Sequence, residues 1–437
     1  MKRLRAVRAD NGSAASSCRC RGIPKAPLPV SCLPCPSFQV FTGRALRYTG
    51  PKLHQQNDRT VKSALSPSLS LSPLQDINAE QWDRLAGEQP FLRHRFLLAL
   101  DETGCASSRT GWTPHFLLLH EGSELSGAMP LYLKAHSRGE YVFDHAWAEA
   151  FERHGLRYYP KLLCAIPFTP VPGPRILARA HEARVALARG AIELCRVNGI
   201  SSLHVLFPSG EDCKALAEAG FMFRHGMQFH WFNQGYASME DFLMSLNQKN
   251  RKKIRQDRKK SDDAGVRFRF LSGDGIDDDS LRFFYRCYHQ TYLEHGHLPY
   301  LNSDFFFRLR SEMADSIVIV MALQGDEPIA AALNLRDDRT LYGRYWGSVR
   351  YVPGLHFETC YMQGIAYCIQ EGLSVFQGGA QGEHKLARGL LPVETCSAHW
   401  IADRRYADAI QDYLDRETPA VRAYADELRD HSPYRKA

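Results

Sequence analysis

The chain has 437 residues, 44% hydrophobic and 24% charged, the composition of an ordinary globular protein with room for two or three cores. No apolar run approaches the ~20 residues that cross a bilayer as a helix, which argues against an integral helical membrane protein. The net charge of +7 is lopsided: residues 1–69 hold twelve Lys/Arg against two Asp/Glu, while the remainder, with 43 basic and 46 acidic residues, stands at −3. The body is therefore mildly acidic, and the basic pI says nothing about nucleic acid.

Residues 1–70 are rich in Arg, Ser and Pro and poor in acids, a composition that predicts disorder. They lack the apolar core of a secretory signal and read either as an organellar transit segment or as an extension with no fold of its own. The expected location is cytoplasmic, or organellar if this segment is a targeting signal. Cys18, Cys20, Cys32 and Cys35 crowd here without the spacing of a zinc site, and no metal is expected. The other eight cysteines are scattered, mostly in apolar patterns, which predicts reduced thiols and no disulfide framework.

From residue 71 the pattern becomes globular. "EQWDRLAG" and "FLRHRFLLALDETG" predict amphipathic helices, and "PHFLLLHEGSELSGAMPLYLKA" a hairpin turning at Glu121–Ser123. "EARVALARGAIELCRVNGI" predicts a helix stopped at Gly199, with a buried strand after it in "SSLHVLF". The same order returns in "VIVMAL", "EPIAAALNL" and "TLYGRYWG", then a helix in "HFETCYMQGIAYCIQEGL" and a strand in "SVFQ". "AIELCRVNGIS" superposes on "GIAYCIQEGLS" at an offset of 173, pairing Cys195 with Cys368 and Gly199 with Gly372. Further on, "QFHW" and "SAHW" superpose at an offset of 169, pairing His230–Trp231 with His399–Trp400. Two matches in one order indicate a duplicated α/β unit. The expected organisation is a first unit over 71–236, a basic helix over 237–265, a second unit over 266–402 and a helical tail over 403–437. Each unit reads as a mixed sheet with helices on its faces.

The copies, together with "YYPKLLCAIPFTPVPGPR", "LYGRYWG", "LHFETCYMQGIAYCI", "GAQGEHK" and "SAHWIAD", resemble a family of N-acyltransferases built from tandem GNAT-like units and grouped with the Fem-type peptidoglycan peptidyltransferases. The resemblance covers residue 75 to the carboxyl end. It implies an α/β fold of two tandem GNAT-like acyl-CoA N-acyltransferase units joined by a basic helix. It also implies transfer from acyl-CoA to an amine acceptor, linked to peptidoglycan metabolism, or from aminoacyl-tRNA as in Fem enzymes. The nearest match to the GNAT loop pattern Q/R-x-x-G-x-G/A is "QGGAQG", with Ala380 where glycine is usual.

Acyl transfer needs a neutral amine, a polarised carbonyl and a held carrier. Gln377, Gly378, Gly379, Gln381 and Gly382, with Lys385, are the candidates for holding a carrier's phosphates, because backbone N–H groups of a glycine-rich loop accept anions; a plain tight turn is the alternative. Glu383 and His384 are the first base candidates, though Glu383 in a first helical turn would equally complement the dipole. His356 and Glu358, at the start of the preceding helix, form a second pair. Arg344 and Trp346 alternate with Tyr345 on a strand, which puts them on one face as candidate substrate-groove residues. Tyr285, Tyr288 and Tyr292 form a helical stripe expected in the core.

Between the copies, Lys249 to Lys260 carries eight positive charges in twelve residues, opposed only by Asp257. Such a helix needs anions or facing carboxylates. It reads as a solvated face, a surface for phosphates or anionic lipid, or a tRNA contact. A third reading of the whole chain is a non-catalytic module that recognises cell-wall or other anionic polymers.

Overall fold

The computed structural model describes residues 46–47, 67–379 and 382–435, all of them in the unit that begins at Phe41. The expected disorder of residues 1–70 lies mostly outside the described residues. Its last three residues differ: Ser68–Ser72 is a strand, because Leu69 and Leu71 pair with Leu119 and Leu117 of the next strand.

After β1 (Leu46–Arg47) and β2 (Ser68–Ser72), the first copy opens with α1 (Ala79–Ala86) and α2 (His94–Glu102). The hairpin β3 (Trp112–Glu121) and β4 (Glu124–Lys134) follows, then α3 (His145–Arg153), β5 (Lys161–Cys164) and β6 (Leu177–Ala178). The copy ends with α4 (His181–Asn198), β7 (Ser202–Leu206), α5 (Gly210–Glu218) and β8 (Met222–Phe232). Two connecting helices, α6 (Met239–Ser245) and α7 (Gln248–Asp263), lead to the second copy.

That copy runs β9 (Val266–Ser272), α8 (Asp278–Glu294), α9 (Ser303–Met313), β10 (Ile317–Gln324), β11 (Glu327–Arg336) and β12 (Thr340–Ser348). A helix follows in three pieces, α10 (Leu355–Phe357), a π-turn (Glu358–Met362) and α11 (Gln363–Gln370). Then come β13 (Val375–Gln377), a 3₁₀ turn (Glu383–Arg388), β14 (Leu391–Ile401) and the long α12 (Arg404–Asp430).

The duplication is visible in backbone detail. Gly199 and Gly372 both take left-handed φ, +62° and +68°. After each, the next N–H turns back to a helix carbonyl: Ile200 to Cys195 O at 2.9 Å, Leu373 to Cys368 O at 2.8 Å. The strands β8 and β14 begin and end at residues 169 apart, as the superposition at His-Trp required.

The copies do not build separate sheets. One mixed sheet runs β1-β2-β3-β4-β5-β7-β14-β8-β13-β12-β11-β10-β9. The final strand of each copy sits against the other copy: β14 pairs with β7, and β8 pairs with β13. The two exchanged strands pair antiparallel with each other from Leu391↔His230 to His399↔Met222, and Gly226 faces Thr395 at the midpoint. A pseudo-two-fold axis passes there, since adding 169 to either end of the paired stretch, Met222 or His230, gives the partner of the other. One buried cluster extends under both copies, from Trp82, Phe116 and Tyr132 to Phe284, Phe305 and Ile319.

The basic helix α7 starts where Asn247 accepts the Asn250 N–H at 3.0 Å. It buries only Ile254 and Ser261. Carboxylates meet its charge: Glu358 against Arg258 at 3.2 Å, Asp257 against Lys260 and Asp263 against Lys259, with Glu240 on Arg255. Lys249, Lys252 and Lys253 stay exposed.

Candidate active site

β12 and β13 run parallel and pair only at Thr340↔Val375, Leu341↔Phe376 and Tyr342↔Gln377. Beyond Gly343 and Gly378 they part. Parting parallel strands leave backbone groups that no ladder satisfies, and an extended ligand can take them up. A cavity of about 260 Å³ lies in this gap. Gly343, Arg344 and Trp346 form one wall and Gly378 and Gly379 another. His356, Cys360 and Tyr361 come from the helix that follows β12, Tyr288 and Tyr292 from α8, and Tyr141 from the first copy.

The glycine wall has little slack. A Cβ on Gly378 would lie 2.6 Å from Leu390 Cδ2, and Gly379 has φ +87°, which favours glycine. Lys385 is buried beneath it and donates from Nζ to Gly379 O at 2.8 Å. Burial pushes this lysine down to about 8.

Opposite stands His356, its ring 4.9 Å from that of Trp346. Burial, then the positive charge of His384, Arg388 and Lys385, pushes it down to about 4, so it faces the cavity as a neutral base at pH 7. His384 sits behind, its Nε2 3.2 Å from the Tyr361 hydroxyl, and burial ahead of Lys385 and Arg388 lowers it as well. Arg388 lies 3.5 Å over the Phe357 ring and 3.6 Å from Asp257 of α7, which ties the basic helix to the 3₁₀ turn.

The remaining sequence candidates fall elsewhere. Glu358 turns toward α7, held by Arg258 and by Gln363 Nε2 at 2.8 Å, and burial raises it against the pull of Arg258. Glu383 opens the 3₁₀ turn, accepts the Tyr424 hydroxyl of α12 and does not line the cavity. Gln377 closes the paired part of β13 opposite His230, and Gly382 follows with φ +116°. Gln381 lies outside the described residues.

One expectation is overturned. Leu333 pairs with Tyr345 and Asn334 with Gly343, so Arg344 is the extra residue of a β-bulge. The bulge breaks the alternation: Arg344 joins Tyr345, with Arg344 Nη2 3.3 Å from the Tyr345 hydroxyl, while Trp346 packs on the other face by Ala330 and Leu355. Arg344 also donates to Phe168 O at 2.5 Å, tying the cavity wall to the first copy.

A family model, FemAB_like, described as peptidoglycan biosynthesis/recognition, matches residues 73–436. The chain belongs to the FemAB_like family. Among solved structures it is similar to FemX (13% identity, TM-score 0.49, covering 77% of this chain and 98% of that one). It is also similar to the C-terminal domain (DUF2156) of a putative lysylphosphatidylglycerol synthetase from Agrobacterium fabrum (10%, 0.47, 77% and 95%). A third is a tandem GNAT protein from the clavulanic acid biosynthesis pathway (10%, 0.42, 77% and 99%). Among curated proteins, none matches the chain. In this FemAB_like protein the sequence pattern missed the tyrosines of the cavity. The stripe Tyr285, Tyr288 and Tyr292 packs in the core as expected, Tyr288 within the main buried cluster and the other two against it; that Tyr288 and Tyr292 also line a cavity left no sign in the spacing. Tyr141 carries no local signal: it enters from the other copy with a left-handed φ of +64°.

Proposed function

We propose that this FemAB_like protein is an N-acyltransferase, moving an acyl group from a thioester carrier to an amine in peptidoglycan-linked metabolism. The observation that supports this reading best is the gap between β12 and β13. An amide-containing carrier arm can pair with the freed strand edges there, alongside glycines that let it approach closely. Lys385 and Arg388 supply positive charge for carrier phosphates beside the glycine wall. The amine nitrogen attacks the thioester carbonyl, a C–N bond forms, and the C–S bond breaks as the thiolate leaves. His356, neutral in the cavity, accepts the proton that the attacking nitrogen sheds as the C–N bond forms and hands it to the leaving thiolate.

The reading is tested by thermal shift with coenzyme A, acetyl-coenzyme A and longer acyl derivatives. Saturation at a hundred times the dissociation constant adds about 2.7 kcal/mol to the folded state. Thr291→Phe, which fills the cavity from the α8 side, is expected to abolish the shift, with circular dichroism of the unliganded variant showing that it still folds. His356→Asn is expected to keep the shift and lower turnover roughly 10²–10⁴-fold. Absence of any shift with these thioesters removes the carrier assignment.

The exposed Lys249, Lys252 and Lys253 of α7 favour a second reading in which the donor is aminoacyl-tRNA. Phosphate contacts strengthen as salt falls. A gel-shift titration without tRNA binding at low salt ends that reading.

A further inference from the structure

A second cavity, about 240 Å³, lies at the pseudo-two-fold axis and shares Tyr141 with the cavity between β12 and β13. Gly226 and Gln228 of β8 line it on one side, Thr395, Cys396 and Ser397 of β14 on another, and Phe207 at the end. Behind this wall the Cys396 sulfur meets the Cys213 sulfur of α5 at 3.0 Å. That is about 1 Å more than a disulfide bond. Of the cysteines described, Cys105, Cys164, Cys195, Cys287 and Cys368 are buried; Cys213, Cys360 and Cys396 are half-buried, and of these three Cys213 and Cys396 lie sulfur to sulfur.

Both sulfurs are held by fixed elements. Cys213 follows Asp212, which accepts the Arg175 N–H at 2.7 Å, pairs with Arg184 at 2.9 Å and closes the cap of α5 with Ser209. Cys396 is on a strand paired along both edges, and its carbonyl accepts the Phe207 N–H at 3.1 Å. The two thiols share one S–H···S hydrogen bond, which lowers Cys396 against the opposing effect of burial. Both sulfurs lie on the α5 side of the cavity wall, half-buried and within reach of each other.

We propose that Cys213 and Cys396 are a reversible dithiol–disulfide site, oxidised by exchange with a small-molecule disulfide of the oxidised-glutathione class. The Cys396 thiolate attacks one sulfur of the small disulfide; an S–S bond forms to the protein and one small thiol leaves. Cys213 then attacks the Cys396 sulfur, the second small thiol leaves, and the two cysteine protons end on the two released thiols. The small disulfide is reduced and the protein pair oxidised, with no other reactant. The bond joins positions 183 residues apart and fastens the first copy's α5 to the second copy's last strand.

The test uses the full chain, incubated with oxidised glutathione alone and with mixtures of oxidised and reduced glutathione, quenched in acid, alkylated, digested and mapped by mass spectrometry. Mapping separates this pair from Cys18, Cys20, Cys32 and Cys35. The expected product is a peptide pair linked through Cys213 and Cys396, absent after dithiothreitol and absent in Cys213→Ser. Recovery of both cysteines alkylated, or of a glutathione adduct on Cys396 without the cross-link, in oxidised glutathione alone overturns the proposal. Mapping of the unsubstituted chain decides this without relying on the variant's fold.

Discussion

Gly347 in β12 shows how little space separates the cavity strand from α8. A Cβ there would lie 2.0 Å from the Cys287 carbonyl oxygen and 2.7 Å from Thr291 Oγ1. The first obstacle is backbone, so the helix itself must move. Gly347→Ala is expected to destabilise by about 1–3 kcal/mol, the usual cost of overpacking. Urea unfolding measures it; a loss below about 0.5 kcal/mol, typical of a surface change, would mean that α8 yields freely. At this scale the sequence was a poor guide. Arg344 and Trp346 looked like neighbours on one face until the bulge separated them. Nor could spacing tell His356, which faces the cavity, from Glu358 two residues later, which faces a basic helix; a π-turn begins at Glu358.

Elements were more legible, because periodicity and stop signals act locally. The hairpin β3–β4, the glycine stops of α4 and α11, and the strands β10 to β12 all follow from runs that can be read without their neighbours. What could not be read is which strand lies beside which. Two copies with equivalent last strands are compatible with a closed sheet in each copy, and no local pattern distinguishes that from the exchange of β8 and β14. The exchange makes β14 a shared element. A chain ended at Leu390 is expected to lose amide protection in β7 and β8 together, as followed by hydrogen exchange, since each loses a ladder partner. Protection kept in the first copy alone would show that its sheet stands without β14.

For the whole molecule, buried histidines set the response to acid. His230 and His356 are pushed down to about 4 and His399 to about 3, by burial before any neighbouring charge. An unfolded histidine titrates near 6.5. As pH falls from 6.5 toward 4, the unfolded chain binds protons that the native state refuses, so stability falls. Glu140, pushed up to about 7 chiefly by burial, opposes this between about 4.5 and 7, where the native state holds the extra proton. The melting temperature is therefore expected to drop on acidification, most steeply below pH 4.5 where that opposition ends. A melting temperature that holds or rises between pH 6.5 and 4 would contradict the burial of these rings.

The exchanged strands also set a timetable for synthesis. Both sheet neighbours of β8, namely β13 and β14, leave the ribosome after it, β14 more than 150 residues later. Until then β7 and β8 present open edges, and the amino-terminal copy waits, unfinished, for the final strand of the chain. Translation that stalls between the two copies leaves a nascent chain with two sticky borders rather than a finished first half, a natural client for chaperones.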